Sequence, residues 1–306
     1  MELAQKFGGI VYESVEELIA DPDIDGVSVC VANDAHAEVS IAALQAGKHV
    51  LCEKPMAITL EQCKNMVQAA KEAGKFLMIG QNQRLTKAHI RAKKLLEQGA
   101  IGDVITFRTT FGHGGPETWS IDQGNNSWFF DKKRAAMGSM ADLGVHKTDL
   151  IQYLLNQKVV ETMARLVTLD KKDSIGNPIG VDDNAICIYT MESGIIGTMT
   201  ASWTYYGQED NSTVIYGTKG IMHIYDDDRY SIKIVTKEGE EINYILDQIQ
   251  TNDHQTNTGI IDAFVDSMVN NHEPLISGAD VLTAMCAIFA SIESGKTGQA
   301  VRVDQD

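Results

Sequence analysis

Basic residues are scarce in this chain of 306 residues, which has 26 Lys and Arg against 42 Asp and Glu and a formal net charge of −16. Nucleic acids and anionic membrane surfaces attract proteins through basic patches, so this balance argues against both as partners. The sequence also contains no apolar run near the roughly 20 residues of a membrane helix. Its first residues lack a signal-peptide pattern, and we expect a cytoplasmic protein.

Cysteine pairs and metal-binding motifs are missing as well. The five cysteines are widely spaced and none forms a C-x-x-C pair, which is typical of reduced core residues. The sequence has no H-E-x-x-H or H-x-H cluster. A metal-dependent sugar isomerase or hydrolase, with Glu53, Asp142 and His146 as ligands, is therefore a disfavoured alternative, and we predict no bound metal.

The glycine-rich turn G-x-G-x-x-G, which joins a strand to a helix in dinucleotide-binding sheets, is a third absence. Gly8 and Gly9 follow a helix-like segment instead. We expect that the sequence starts about one βαβ unit into such a domain. A sheet of strand order 3-2-1-4-5-6 without its central strand would expose apolar edges, so we expect a truncated piece rather than a functional short form.

The first hundred residues alternate between apolar strand patterns and helix patterns. Val27–Val31, His49–Cys52 and Phe76–Gly80 are short apolar runs typical of buried strands. Thr59 begins a capping box, and Gly74 ends the helix that follows it. This alternation predicts an α/β domain with a parallel sheet and right-handed crossovers.

Strand patterns separated by turns fill much of the chain after residue 103. The predicted strands are Val104–Phe111, Val159–Leu169, Asn184–Met191, Ile195–Trp203, Thr213–Tyr216, Ile221–Ile224, Ser231–Thr236 and Glu241–Ile245. They indicate a large, mostly antiparallel sheet, closed by helices at Ile260–Val269 and Ala279–Ile292. We therefore divide the chain into an incomplete α/β domain, residues 1–103, and an α+β domain, residues 104–306.

Lys54 directly follows the strand pattern His49–Cys52, in the sequence Glu53-Lys54-Pro55. Proline at this place excludes a helical continuation and favours an extended backbone at the lysine. We therefore expect Lys54 at the carboxyl end of a strand, where open α/β sheets form their ligand sites. The pattern alone also fits a solvated lysine in a turn.

Three ionisable residues stand at helical spacing in the second half. Asp142, His146 and Asp149 are separated by four and three positions, which places them along one face of a helix. Two ordinary structures would show the same spacing, namely an Asp–His pair on a solvated face and a hydrogen-bonded core histidine. The spacing alone therefore leaves these alternatives open.

In order along the chain, several short motifs resemble the glucose–fructose oxidoreductase/inositol dehydrogenase (Gfo/Idh/MocA) family. The motifs are Asp21-Pro22-x-Ile24-Asp25-x-Val27, Asn33-x-x-His36, Ala46-Gly47-Lys48-His49-Val50, Glu53-Lys54-Pro55 and Asp142-x-x-x-His146. The resemblance covers essentially the whole chain and departs from the family at Ala32, where proline is usual, and at the missing glycine-rich turn. It implies a partial Rossmann-like sheet that binds NAD or NADP, followed by a substrate domain with an open sheet face. That face would form a homodimer or homotetramer.

The resemblance also implies an activity, the oxidation of a secondary alcohol of a sugar, cyclitol or glycoside with transfer of a hydride to nicotinamide. His146 would be the general acid/base, since a histidine titrates near neutral pH. Asp142 would hydrogen-bond or position the substrate hydroxyl, and Lys54 would stabilise the developing alkoxide. Asp149 would orient the imidazole or pair with a cation.

Further residues receive binding roles from the same resemblance. The contacts to the nicotinamide half of the cofactor would be made by Asn33, His36, Glu53, Lys54 and Pro55. His36 is equally well explained as a helix N-terminal residue, and Arg84 is either a substrate contact or one side of a salt bridge. The substrate or the oligomer interface would be contacted by residues of the loop before Asp142, namely His113, Glu117, Trp119, Trp128 and Lys132.

One alternative belongs to a different class of protein. A cofactor-free binding or structural subunit would also lack the glycine-rich turn, whereas it would not need Lys54, Asp142 and His146 together. The sequence does not decide between NAD and NADP, and it does not identify the sugar or polyol.

Overall fold

The computed structural model describes residues 2–120, 122, 124–249 and 257–305. Its helices are α1 (Glu2–Phe7), α2 (Val15–Ala20), α3 (His36–Gln45), α4 (Leu60–Ala73), α5 (Lys87–Glu97), α6 (Lys132–Ala135), α7 (Val145–Leu155), α8 (Ile260–Asn270) and α9 (Gly278–Thr297). A π-helical turn, Met140–Gly144, leads into α7. No helix among the described residues is long and apolar enough to cross a membrane.

The strands form two sheets. Their bounds are β1 (Gly26–Val29), β2 (His49–Cys52), β3 (Leu77–Ile79), β4 (Val104–Gly112), β5 (Val159–Val167), β6 (Asn184–Met191), β7 (Ile196–Ser202), β8 (Thr213–Gly217), β9 (Gly220–Asp227), β10 (Tyr230–Thr236), β11 (Glu241–Tyr244) and β12 (Val301–Arg302). The first sheet is parallel, in the order β1-β2-β3. The second has nine strands, in the order β11-β10-β9-β8-β4-β7-β6-β5-β12. The predicted fold class is thus confirmed.

Local sequence explains the helix α4. The Thr59 hydroxyl accepts a hydrogen bond from the backbone N–H of Gln62, as the capping-box pattern predicts. At the other end Gly74 adopts a left-handed conformation with φ of 61°. Cys63 and Met66 bury one side of the helix between these two ends. The predicted helix is therefore present with its predicted ends.

In the second sheet every neighbouring pair is antiparallel except β4 and β7, which run parallel. Strand β6 shows why one face of this sheet is buried, because Cys187 and Tyr189 point inward and are fully buried whereas Ile186 and Ile188 are exposed on the other face. Helices α7 and α9 cover the inner face. The Thr148 hydroxyl on α7, for example, lies 2.9 Å from the Tyr189 hydroxyl.

The last two helices return to the first sheet. The N–H of Ile79 in β3 donates to the carbonyl of Ile276, just before α9, over 3.1 Å. At Gly26 in β1, a Cβ atom would lie 2.6 Å from the sulfur of Met268, so α8 packs closely against this strand. The division of the chain at residue 103 stays a prediction, and the C-terminal helices pack against both sheets.

Asp182 holds the start of the π-helical turn. Its Oδ1 accepts the N–H of Gly138 at 2.8 Å, and its Oδ2 accepts the N–H of Met140 at 2.8 Å and the hydroxyl of Ser139 at 2.9 Å. All four residues are buried, so no solvent replaces these bonds. Asp182 therefore fixes where the helix α7 starts relative to the second sheet.

We expect Asp182→Ala to lower the free energy of unfolding by about 2–4 kcal/mol, because it leaves the buried N–H groups of Gly138 and Met140 without acceptors. Urea denaturation measures the loss. The control is Asp131→Ala, because Asp131 is exposed and accepts one bond, from the N–H of Lys133, and its removal is expected to cost about 1 kcal/mol or less. Equal losses in the two variants would contradict the assignment.

Candidate functional site

Two cavities adjoin at the carboxyl ends of β1, β2 and β3. The larger, about 240 Å³, is here called the His146 cavity, and its lining includes Asn82, Gln83, Thr86, Phe111, His113, His146 and Glu209. The other, about 230 Å³, is the Asn33 cavity, and its lining includes Cys30, Val31, Asn33, His36, Pro55, Trp128 and Phe129. The residues common to both are Glu53, Lys54, Trp119 and Asp142. The site is thus a pair of cavities with a shared wall.

An ion pair forms the centre of this wall. The Nζ of Lys54 donates to Oδ1 and to the backbone carbonyl of Asp142, each at 2.9 Å. Lys54 lies two residues after β2, as predicted, and its side chain is 22% exposed. The peptide bond that joins it to Pro55 is cis. With two of its three hydrogens bound to one residue, the ammonium keeps one for another acceptor.

Asp142 receives further donors at its second oxygen. The indole N–H of Trp203 donates to Oδ2 over 3.0 Å, and Nε2 of His113 lies 3.6 Å from the same atom. The other ring nitrogen of His113 accepts the N–H of Gly115, so the neutral ring carries its proton on Nε2. Burial opposes the charge of Asp142, but the Lys54 ammonium and His113 hold its pKa well below the usual range. Asp142 is therefore a buried carboxylate with both oxygens bound.

The environment of His146 favours the uncharged form of the side chain, whereas that of Asp142 favours the charged form. The ring is 6% exposed, and its Nδ1 has no hydrogen-bond partner among the described residues. Burial and the nearby positive charge of Lys54 lower the pKa of His146 well below its ordinary value, although Asp142 acts against this. The imidazole is consequently neutral at neutral pH. A neutral imidazole that lines a cavity is able to accept a proton there.

Asp149 lies one turn further along α7 and lines neither cavity. Arg84 donates to both of its oxygens, from Nε at 2.7 Å and from Nη2 at 2.5 Å. Both side chains are buried. Of the alternatives for these two residues, the geometry favours a structural ion pair over a substrate contact by Arg84 and over an imidazole contact by Asp149.

The predicted cofactor contacts gather around the Asn33 cavity. Asn33 donates from its amide to the carbonyl of Ala135 over 3.3 Å. His36, the first residue of α3, lies with Nδ1 2.7 Å from the carbonyl of Pro55 and Nε2 3.0 Å from that of Val31. His36 therefore connects the loops after β1 and β2 and also lines the cavity. Its position is compatible with both of the roles that the sequence leaves open.

Residues of the loop before Asp142 line both cavities. His113 lines the His146 cavity, Trp128 lines the Asn33 cavity, and Trp119 lines both. Trp128 stacks on Phe129 with ring centroids 4.1 Å apart. Among the other residues considered, Glu117 is paired with Lys171, and Lys132 is exposed and lines neither of the two cavities. The predicted substrate contact by Trp128 thus lies on the side of the predicted cofactor contacts.

Sequence reasoning missed several residues of the site, among them Trp203, Phe111 and Gln83. Trp203 ended a predicted strand without a role, and Phe111 was only part of a strand. Gln83 and Phe111 line the His146 cavity, and the buried Gln83 Oε1 finds no hydrogen-bond partner within the described part of the chain. For Trp203, its position at the end of a predicted strand was the available sequence signal. Its contact with Asp142 was not predictable, because the two residues are 61 positions apart.

Comparisons with known proteins agree with this arrangement. Residues 1–81 match the model of an oxidoreductase family with an NAD-binding Rossmann fold, and residues 89–223 match the GFO/IDH/MocA C-terminal domain. The levoglucosan dehydrogenase of Pseudarthrobacter phenanthrenivorans is 34% identical over 72% of this chain and 60% of its own length. The 1,5-anhydro-D-fructose reductase of Ensifer adhaerens is 30% identical over 95% of this chain and 83% of its own length.

Solved structures of related proteins have the same fold as this chain. A solved levoglucosan dehydrogenase, in complex with NADH and levoglucosan, superposes with a TM-score of 0.86 at 28% identity, over 100% of this chain and 87% of that one. The chain belongs to the Gfo/Idh/MocA family of oxidoreductases. It spans less than two thirds of the levoglucosan dehydrogenase of P. phenanthrenivorans in the sequence comparison. The predicted family and the Rossmann-type NAD-binding domain are thereby confirmed.

The residues present fit one half of a nicotinamide dinucleotide. The Asn33 cavity lies at the carboxyl ends of parallel strands and opens towards Lys54, which suits a flat ring placed against the His146 cavity. None of the described residues forms a glycine-rich strand-to-helix turn that would hold a pyrophosphate. The fit therefore concerns the nicotinamide end of the cofactor.

We expect Arg84→Met to lower the free energy of unfolding by about 3–5 kcal/mol, since it leaves the Asp149 carboxylate buried without its partner. The double variant Arg84→Met with Asp149→Leu is expected to recover most of this loss, because both charges are then replaced by apolar groups. Urea denaturation of both variants tests the pair. A stable Arg84→Met variant with a raised KM for substrate would instead support the substrate contact.

Proposed function

We propose that this chain carries the catalytic site of an NAD(P)-dependent dehydrogenase of a secondary alcohol in a sugar, cyclitol or glycoside. The observation that supports the proposal is the shared wall, where the Asn33 cavity and the His146 cavity meet at Lys54 and Asp142. One cavity would receive the nicotinamide ring and the other the alcohol. The reacting carbon would then lie beside Lys54 and His146.

When bound, a nicotinamide cofactor accepts or donates the hydride. The hydroxyl of the substrate has to lose its proton at the same time, and His146 is the general base in this proposal. It is neutral and lines the cavity, so it accepts the proton and returns it in the reverse reaction. Asp142 is unsuited to that task, because both its carboxylate oxygens already accept hydrogen bonds, from Lys54 and from Trp203.

Lys54 would stabilise the alkoxide that develops on the substrate oxygen. Two of its ammonium hydrogens are bound by Asp142, and the third would donate a charge-assisted hydrogen bond to that oxygen, which is stronger than a bond between neutral groups. Asp142 would then act on the substrate by holding Lys54 in place. On the cofactor side, the proposed contacts to the nicotinamide half are Asn33, His36, Glu53, Lys54 and Pro55.

We expect His146→Ala to lower turnover at least 100-fold, which is the usual scale of a lost general base, and to leave NADH affinity nearly unchanged. Steady-state kinetics measures the first effect and nicotinamide fluorescence titration the second. The matched variant His272→Ala removes an exposed histidine that follows the C-terminal end of α8 and is expected to keep full turnover. Wild-type turnover in His146→Ala would refute the role of the general base.

Cofactor binding has a readout of its own. Cys30 lines the Asn33 cavity and is exposed, whereas the other four cysteines are buried. Saturating NADH or NADPH is therefore expected to slow the alkylation of Cys30, followed by mass spectrometry of the modified peptide. If the alkylation rate did not change and nicotinamide fluorescence showed no saturable binding, the alternative of a cofactor-free subunit would be favoured.

We also propose that the open face of the second sheet joins copies of this chain. Exposed apolar side chains lie on it in three adjacent strands, namely Met163, Ile186, Ile188 and Ile196. A face of this kind is covered in a closed symmetric oligomer. Its occupant in this proposal is a second copy of the chain.

We expect Ile188→Lys to shift the protein to monomers in sedimentation velocity, because a charge would be buried in the contact. Ile261→Lys, which alters an exposed isoleucine of α8, is expected to leave the oligomer unchanged. An oligomer that survives Ile188→Lys would exclude this face as the contact.

A further inference from the structure

Lys171 is a buried lysine beside the site that lines neither the His146 cavity nor the Asn33 cavity. It follows β5, and its side chain is 6% exposed. Its backbone N–H donates to Oδ2 of Asp183 over 2.9 Å, and the N–H groups of Leu169 and Asp170 donate to the same carboxylate. Asp183 is itself fully buried, directly before β6. The backbone at Lys171 is therefore fixed to the second sheet.

The ammonium group of Lys171 binds the segment that follows β4, residues 113–119, here called the site loop. Its Nζ donates to the backbone carbonyl of Gly114 over 2.5 Å and to the carboxylate of Glu117. Gly115 lies between these two residues with φ of 102°, a conformation that residues with a side chain rarely adopt. A Cβ atom at Gly115 would lie 2.9 Å from Nζ. The site loop therefore folds closely around the ammonium group.

Both ends of the site loop carry a residue of the site. His113 lies with Nε2 3.6 Å from Oδ2 of Asp142, and its Nδ1 accepts the N–H of Gly115. Trp119 lines both cavities, and its ring meets that of His113 in a T-shaped arrangement with centroids 6.2 Å apart. The two residues that bind the ammonium group lie between His113 and Trp119 in the chain. A shift of the site loop would consequently move both side chains.

The ion pair between Lys171 and Glu117 is largely withdrawn from solvent, with side chains 6% and 19% exposed. The cost of removing two charges from water offsets most of their attraction, so apolar side chains of similar size often stabilise such a place equally well. Stability is therefore a weak explanation for this pair. The pair does specify a geometry, because one ammonium group donates to a carbonyl and to a carboxylate of the same loop.

We propose that Lys171 is a positioning residue of the dehydrogenase site, which holds the site loop so that His113 meets Asp142 and Trp119 borders both cavities. The inference rests on the proposed function, because it concerns the same site. Lys171 lines neither cavity, so its loss acts through the loop. If the loop took the productive position in about one molecule in ten, apparent dissociation constants would rise about 10-fold. The loss of Lys171 therefore weakens binding more than it slows the chemical step.

Hydrogen exchange, followed by mass spectrometry, tests the position of the site loop without any ligand. In Lys171→Met the amides of the loop are expected to exchange about 10-fold faster than in the wild type, since the bonds of the Gly115 and Trp119 N–H groups lie within it. Lys171→Arg keeps a cation with several donors and is expected to restore slow exchange. The control Lys172→Met removes the exposed neighbouring lysine and is expected to change nothing.

A double variant separates the position of the loop from the stability of the fold. Lys171→Met leaves the Glu117 carboxylate without its cation, whereas Lys171→Met with Glu117→Met removes both charges. The double variant is expected to unfold near the urea concentration at which the wild type unfolds, while its site loop still exchanges about 10-fold faster. Slow exchange of the loop in the folded double variant would overturn the inference.

Steady-state kinetics and cofactor binding connect the loop to the site. The probes are glucose, methyl glucoside and myo-inositol, each with NAD and NADP. For a probe that the wild type oxidises, Lys171→Met is expected to raise KM about 10-fold and to lower kcat less than about 3-fold, and Lys171→Arg is expected to recover the wild-type KM. NADH affinity, measured by nicotinamide fluorescence, is expected to fall in parallel, because Trp119 also lines the Asn33 cavity.

The outcomes distinguish this inference from the proposed function. Wild-type KM and NADH affinity in a variant whose site loop exchanges fast would overturn the positioning role of Lys171. A loss of kcat with KM and exchange unchanged would overturn it as well. A wild-type chain that binds no NADH and oxidises none of the three probes would instead overturn the proposed dehydrogenase, and hydrogen exchange would still show whether Lys171 holds the loop.

Discussion

The geometry of the site depends on the ion pair between Lys54 and Asp142. It joins the end of β2 to the π-helical turn before α7, 88 positions later in the chain. Asp142 is 5% exposed, so the pair is far less screened than one on the surface. Because both cavities include these two residues, the pair also determines where the first sheet and α7 meet. A displacement of either element would change both cavities at once.

A buried carboxylate is stable only when its oxygens are bound, and the second sheet supplies the remaining donors to Asp142. His113 follows β4 and Trp203 follows β7. These strands are the parallel pair of the sheet, with Gly112 opposite Ser202, so their ends lie side by side. The N–H of His113 donates to the carbonyl of Ser202 over 3.0 Å and fixes this alignment. The parallel pairing of β4 with β7 therefore brings His113 and Trp203 together beside the Asp142 carboxylate.

Local patterns made the first sheet and most strands predictable, whereas contacts between distant segments were not. Thr59 and Gly74 define α4 by rules that act over four residues. The position of Lys54 was predicted from the strand pattern before it, whereas its role and that of His146 came from the motif resemblance. Both residues line the His146 cavity. The pairing of Arg84 with Asp149 spans 65 positions and that of Trp203 with Asp142 spans 61. Neither follows from periodicity or propensity, because each joins segments that are far apart in the sequence and meet only in the folded chain.

The same burial affects Asp142 and His146 in opposite ways. Desolvation disfavours charge on both, but only Asp142 has a cation and hydrogen-bond donors that compensate for it. One group therefore stays ionised and the other stays neutral at the same pH. In the proposed reaction this difference separates the tasks, since the charged group orients Lys54 and the neutral group takes the proton. A site in which both groups carried charge would hold Lys54 equally well but would have no base for the hydroxyl.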